Sequence, residues 1–192
     1  MTKTPSPLVI SSGVRGARDD HRDAMSLRRL VRGNRDALAD LYDAHAASLF
    51  RHGFALTRSR PDAEDLVQAV FLKLATTGAP LLAVRNPANY PHRILRAAWI
   101  DARRRPAAHF EEPAGADADS PALDCHDAAE AAIDVDAAVA RLPAAQREIV
   151  ALHLIEGFSF REAGRITGVS MFTAASRYRV ALERLRQMMG RR

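Results

Sequence analysis

The sequence predicts an all-α fold: two small helical bundles joined by an acidic flexible linker, the C-terminal one containing a helix-turn-helix. Three observations predict it. Apolar residues recur at three- and four-residue steps over most of the chain, and no strand-like alternation of any length appears. An acidic stretch with three prolines, residues 106–134, interrupts that period. Near the C-terminus, two helix-length segments flank a tight turn at Gly168-Val169.

Residues 1–24 carry Pro5, Pro7, Gly13 and Gly16 without an apolar period, and a mobile tail is expected there. From Met25 the helical period begins with Leu27, Leu30 and Val31 and continues through Leu38, Leu41, Tyr42, His45, Leu49 and Phe50. Gly33-Asn34 divides this run into a short helix and a longer one. In SRPDAEDLVQAVFLKLA, Pro61 suits a first helical turn, and Asp62, Glu64 and Asp65 place negative charge at the positive end of the helix dipole. Leu66, Val67, Val70, Phe71 and Leu74 form its apolar stripe, with Asp65, Gln68, Ala69 and Lys73 away from the centre. Gly78, Pro80 and Pro87 break that helix, and another follows over about 88–105. The expected division is a tail over 1–24, a first domain over 25–105, a linker over 106–134 and a second domain over 135–192. In the last, Leu142-Pro143 breaks the pattern, a helix covers about 144–155, and Gly157 stops it.

The charge is unevenly distributed. Residues 1–105 carry a net +8, residues 106–140 a net −9 and residues 141–192 a net +6. Two basic blocks of this kind suit a polyanionic partner. All basic residues but Lys3 and Lys73 are arginines, whose planar fork matches phosphate and guanine edges. The single cysteine, Cys125, rules out a disulfide framework and a Cys-rich zinc site. No apolar run approaches the ~20 residues of a bilayer span, and Leu8–Ile10 is too short for a secretory core, so a cytoplasmic location without membrane insertion is expected.

Two segments carry chemistry. In the C-terminal fifty residues, Ala163 and Gly164 supply small side chains where two helices cross. Gly168 supplies a left-handed turn and Val169 an apolar anchor. The second helix then presents Ser170, Met171, Phe172, Thr173, Ser176, Arg177 and Arg179 in the half that enters a major groove. An αα-hairpin with a solvated Arg face would share this spacing. The helix ending NYPHRILRAAWIDARRR mixes Tyr90, His92, Arg93, Arg96, Trp99 and Arg103, a combination that suits stacking on unpaired bases; burial of Trp99 in a core is the competing reading.

Other constellations are weaker. Asp62, Glu64 and Asp65 invite a metal-dependent hydrolase reading with His45 and His52, but the Glu-x-x-His pair of carboxylate bundle sites is absent, so no metal and no cofactor are expected. Cys125-His126 lacks further ligands. No Walker A loop, G-x-S-x-G or H-E-x-x-H occurs, and no catalytic residue is assigned. The Arg blocks could also suit an anionic membrane surface, but no helix pairs them with a large apolar face.

Four segments in order, DAEDLVQAVFLKLA (62–75), NYPHRILRAAWIDARRR (89–105), LPAAQREIVALHLIEGFSFREAGRITGVS (142–170) and TAASRYRVALERLR (173–186), resemble regions 2 and 4 of the extracytoplasmic-function sigma factors. These are small two-domain initiation factors of bacterial RNA polymerase, and the resemblance covers about residues 25–188. It implies a non-enzymatic adapter that binds core polymerase and directs promoter recognition, −10 melting and initiation. The DAEDLVQ helix would dock on the β′ clamp helices through Asp65, Gln68 and Lys73, with the β flap as a further contact. The −10 element would be held by Arg85, Asn86 and Asn89 in a loop and by His92, Arg93, Arg96, Trp99, Arg103 and Arg104 on the basic helix. The helix-turn-helix would read the −35 duplex, with Arg177 and Ser176 on base edges and Arg179 leaning to phosphate. Factors of this family are commonly held by an anti-sigma partner. Ala69, Ala75 and Ala97 depart from the family's usual Glu, Trp and Asn, and Thr167 from a common Leu. In the reading helix, Phe172 replaces a common Gly, Ala174 a branched residue and Ala175 a basic one. A two-domain helix-turn-helix regulator that never touches polymerase is the alternative, discriminated by the polar pair Asp65 and Gln68 beside a basic helix.

Overall fold

The computed structural model describes residues 17–104 and 130–189, and every regular element among them is helical. The first bundle comprises α1 (Ala17–Val31), α2 (Asp36–Thr57), α3 (Arg60–Thr77), a 3-10 turn at Ala79–Ala83 and α4 (Tyr90–Arg104). The second comprises α5 (Glu130–Ala140), α6 (Ala144–Val150), a π-helical turn at Ala151–Ile155, α7 (Phe160–Thr167) and α8 (Met171–Met189).

Local chemistry writes the helix ends. Ser59 caps α3, its hydroxyl accepting the Asp62 N–H at 3.4 Å, and Pro61 occupies the first turn, where no N–H is needed. Ser159 and Glu162 cap α7 reciprocally: the Ser159 hydroxyl accepts the Glu162 N–H at 3.3 Å, and the Glu162 carboxylate accepts the Ser159 N–H at 2.9 Å. The π turn is closed by the Glu156 N–H donating to the Ala151 carbonyl at 3.0 Å, one residue further back than an α-helix reaches.

The stripe of α3 packs on α2. Leu41, Leu49, Leu66, Val70, Leu74 and Leu95 are buried together and form the centre of the first core. Ile149, Leu152, Phe158, Ile166 and Ala174 form that of the second. Burial of one such aliphatic side chain contributes about 1.5–3 kcal/mol, so the paired stripes account for much of each bundle's stability.

Two boundaries differ from the sequence expectation. Helix α1 begins at Ala17, eight residues before Met25, within the stretch read as a tail. Asp23 explains the extension, because it is buried against His45 of α2, Oδ2 to Nε2 at 2.9 Å. An aspartate looks like surface to a periodicity argument, yet here it completes the α1–α2 contact. Similarly, α5 begins at Glu130, inside the stretch read as linker. The acidic residues 105–129 lie outside the described residues.

The bundles are in contact. Helix α6 and the π turn lie on α2, and α7 lies on α4. Arg147 is the main bolt. It is buried, and its guanidinium donates to the backbone carbonyls of Ala55 in α2, Ala140 at 3.2 Å and Leu142 at 2.6 Å.

Candidate nucleic-acid interface

On α3, Asp65, Gln68 and Lys73 are all exposed. Leu72 joins them, 67% exposed although apolar. At about 100° per residue it lies within about 40° of both Asp65 and Gln68. The outward face of α3 is therefore a mixed patch with an aliphatic centre, opposite a fully buried stripe. Sequence reasoning did not single out Leu72, because an apolar residue beside an apolar stripe reads as its edge.

The residues expected to hold the −10 element are divided by the structure. Arg85, Arg93, Arg103 and Arg104 are exposed. Trp99 is half-buried against the first core, with the Arg103 guanidinium 5.0 Å from its ring centre, so neither full burial nor free display describes it. Asn89 and His92 are not on a surface; they are 3% and 0% exposed. Asn86 accepts from Arg165 of α7 at 3.2 Å, and Arg96 is engaged by α6. For His92, Asn86 and Arg96 the physical reason is the second bundle, which meets this side of α4 through Phe158, Arg165 and Glu148.

The cover is a polar seam. The Arg96 Nε donates to Glu148 Oε1 at 2.9 Å, and His52 Nε2 lies 3.3 Å from the same oxygen. Arg51 donates to both oxygens of Glu156 at 2.6 and 3.0 Å, and the Ser48 hydroxyl donates to it at 2.5 Å. His52 and His92 meet Nδ1 to Nδ1 at 3.1 Å, so one ring donates and the other accepts. His92 also packs edge-on against Phe158, ring centres 5.0 Å apart. Both glutamate side chains are 2% exposed, and a buried carboxylate persists only with such partners. Of the four acidic residues in 141–192, two serve this seam. No spacing in the sequence signals that, because the partners lie about 50–110 residues away. Burial, with Arg58 nearby, lowers the Arg147 pKa from the ordinary arginine range to about 10, which leaves it charged at neutral pH.

In the second bundle, α7 and α8 cross as the sequence expects. Gly168 is left-handed at φ 69°. A Cβ on Gly164 would stand 2.8 Å from the Val169 carbonyl oxygen, so the crossing admits no side chain there. Ser170 caps α8: its hydroxyl accepts the Thr173 N–H at 3.0 Å and lies 2.9 Å from the Thr173 hydroxyl. Met171, Phe172, Ser176 and Arg179 are exposed, whereas Arg177 is half-buried. Among the described residues, no group of three His, Cys, Asp or Glu is placed to hold a metal ion, and no helix is long and apolar enough to cross a membrane.

Known proteins share this organisation. Sigma-70 region 2 matches residues 41–108 and sigma-70 region 4 matches residues 132–185. The chain is 31% identical over 175 residues to the ECF RNA polymerase sigma factor SigM of Mycobacterium tuberculosis, covering 91% of this chain and 88% of that one. It is 28% identical over 180 residues to the sigma factor RpoE of Cereibacter sphaeroides, covering 90% and 98%. Among solved structures, CnrH in complex with the cytosolic domain of CnrY superposes with a TM-score of 0.62 at 22% identity, over 88% of this chain and 97% of that one. The sigma factor RpoE in complex with the anti-sigma factor NepR from Bartonella quintana gives 0.58 at 24% identity, over 80% and 96%. These last two establish the shared fold. With both regions matched in order and the relationship running along nearly the whole chain, the protein belongs to the extracytoplasmic-function sigma factors, the sigma-70 family members that bind RNA polymerase and recognise promoters.

Proposed function

We propose that the three surfaces divide the work of initiation. The outward face of α3, with Asp65, Gln68, Leu72 and Lys73, docks on the β′ clamp helices of core polymerase, and α8 reads the −35 duplex while its bundle rests on the β flap. Arg85, Asn86, Asn89 and α4, with His92, Arg93, Arg96, Trp99, Arg103 and Arg104, take the −10 element as it melts. Aromatic faces stack on unpaired bases and Arg holds the backbone, which is what a melted strand requires. The polymerase supplies the chemistry. The observation that carries this reading is the exposed polar and aliphatic face of α3 beside a basic helix.

His92 is buried against Phe158 of the second bundle, so the −10 surface becomes complete only when the seam opens. Binding to core polymerase, with the two bundles held at separate promoter elements, provides the opening force. An anti-sigma partner would act in the opposite sense by holding the surfaces closed. Association with core polymerase and promoter-directed transcription test the reading. An Asp65→Lys, Gln68→Ala protein of unchanged helicity should bind core at least tenfold more weakly, and unchanged affinity would refute the docking assignment.

A further inference from the structure

The first turn of the recognition helix contains a side chain with no structural reason to be apolar. Phe172 is 75% exposed, the most exposed large apolar residue among those described. It packs into neither core. Ala174 and Ala181, both 0% exposed, mark the side of α8 that faces its own bundle. At about 100° per residue, Phe172, Ser176 and Arg179 fall within about 40° of the opposite direction. Arg177 instead lies about 50° from the buried direction, which accounts for its half-burial. The outward line of this helix is therefore aromatic, hydroxyl and guanidinium, at steps of four and three residues. The first turn adds little polar capacity, because the hydroxyls of Ser170 and Thr173 are engaged with each other and with the cap.

A major groove offers one apolar group, the 5-methyl of thymine; every other base edge there presents hydrogen-bond donors or acceptors. A phenyl ring beside guanine or cytosine would desolvate polar atoms without replacing their partners. We propose that Phe172 reads a thymine methyl group in the −35 duplex, and that base reading runs along Phe172, Ser176 and Arg179 rather than through Arg177. The proposal rests on the helix-turn-helix reading above and deepens it: this factor requires a thymine at one position of its −35 element, on the strand facing Phe172. Arg179, at the inner end of the line, is left to contact a neighbouring guanine or the backbone.

The test uses holoenzyme assembled from the full chain and core polymerase. A duplex pool randomised over the −35 positions is selected by holoenzyme binding. Each thymine of the selected duplex is then replaced in turn by deoxyuridine, which deletes only the methyl group. Wild-type holoenzyme should lose about fourfold in affinity at one thymine, the equivalent of one buried methyl. Phe172→Ala should bind the thymine and deoxyuridine duplexes equally, with the helical content of the wild type. The proposal is overturned if no thymine methyl affects the wild type, or if Phe172→Ala retains the discrimination. It is also overturned if Phe172→Ala weakens binding to core polymerase without DNA, which would place the ring against protein. Should the pool yield no preferred −35 sequence, the helix-turn-helix reading itself falls; a preferred sequence indifferent to methyl deletion removes only the role of Phe172.

Discussion

Arg96 of α4 and Glu148 of α6 meet at 2.9 Å across the contact between the two bundles. A cation suited to hold promoter backbone is held instead by a carboxylate of the same chain. Replacing Glu148 by Ala strands His52, which is fully buried, and frees Arg96, which is 23% exposed. The contact should weaken by about 1–3 kcal/mol, below the full penalty for a buried pair because Arg96 can turn to water. Small-angle scattering of Glu148→Ala should show a larger radius of gyration than the wild type, and the isolated chain should bind −10 single strand more tightly. Unchanged scattering would show that the seam does not hold the bundles together.

Arg147 ties three carbonyls at once. Arg147→Met removes the donors to Ala55, Ala140 and Leu142 and should cost about 2–3 kcal/mol, seen as a fall in Tm of several degrees. Arg147→Lys should recover little of this, since an ammonium lacks the planar fork. The pKa lowered to about 10 has a defined linkage sign. Between about 10 and the ordinary arginine range the unfolded chain binds more protons at this residue, so its contribution to stability rises with pH in that window and is constant below it. Comparing the denaturant midpoints of wild type and Arg147→Met from pH 7 to 9 should give a constant difference.

Gly164→Ala is the sharpest test of the α7–α8 crossing. The new methyl would stand 2.8 Å from the Val169 carbonyl oxygen and 3.3 Å from Met171 N, both backbone atoms. Overpacking of this kind costs about 1–3 kcal/mol and would displace the start of α8. Holoenzyme containing this variant should lose −35 binding while retaining its affinity for core polymerase.

Removing residues 1–24 should destabilise the first bundle, because it takes Asp23 from His45. The loss of a buried partner costs about 1–3 kcal/mol. A Tm equal to that of the full chain would mean that α1 contributes nothing before residue 25.

Much of this molecule was legible. Period, helix-start signals and turn chemistry placed α2, α3 and the α7–α8 crossing, since apolar stripes, Pro61 and Gly168 act locally. The fate of Asn89, His92 and Arg96 was not legible. Their types suited nucleic acid, whereas Asn89 and His92 are buried and Arg96 is held by Glu148, a partner brought near only by folding. Asp23 was missed for the same reason: its partner is 22 residues away. Arg177 and Arg179 were told apart only by the direction of the buried alanines. Leu72 was passed over because its exposure is set by what α3 leaves uncovered.

The π turn at Ala151–Ile155 sets the phase of the seam. Eight residues separate Glu148 from Glu156, and an unbroken α-helix would turn them about 80° apart. One extra residue absorbed in a wider turn takes back about 100°, bringing the two carboxylates to within about 20° of each other. Glu156 can then reach Arg51 and Ser48 while Glu148 reaches Arg96 and His52. The spacing behaves like a vernier: a deletion of a single residue within 151–155 would leave a regular helix that keeps the two carboxylates about 20° apart, whereas the present eight-residue spacing wound as unbroken α-helix would turn the second carboxylate about 80° from the first.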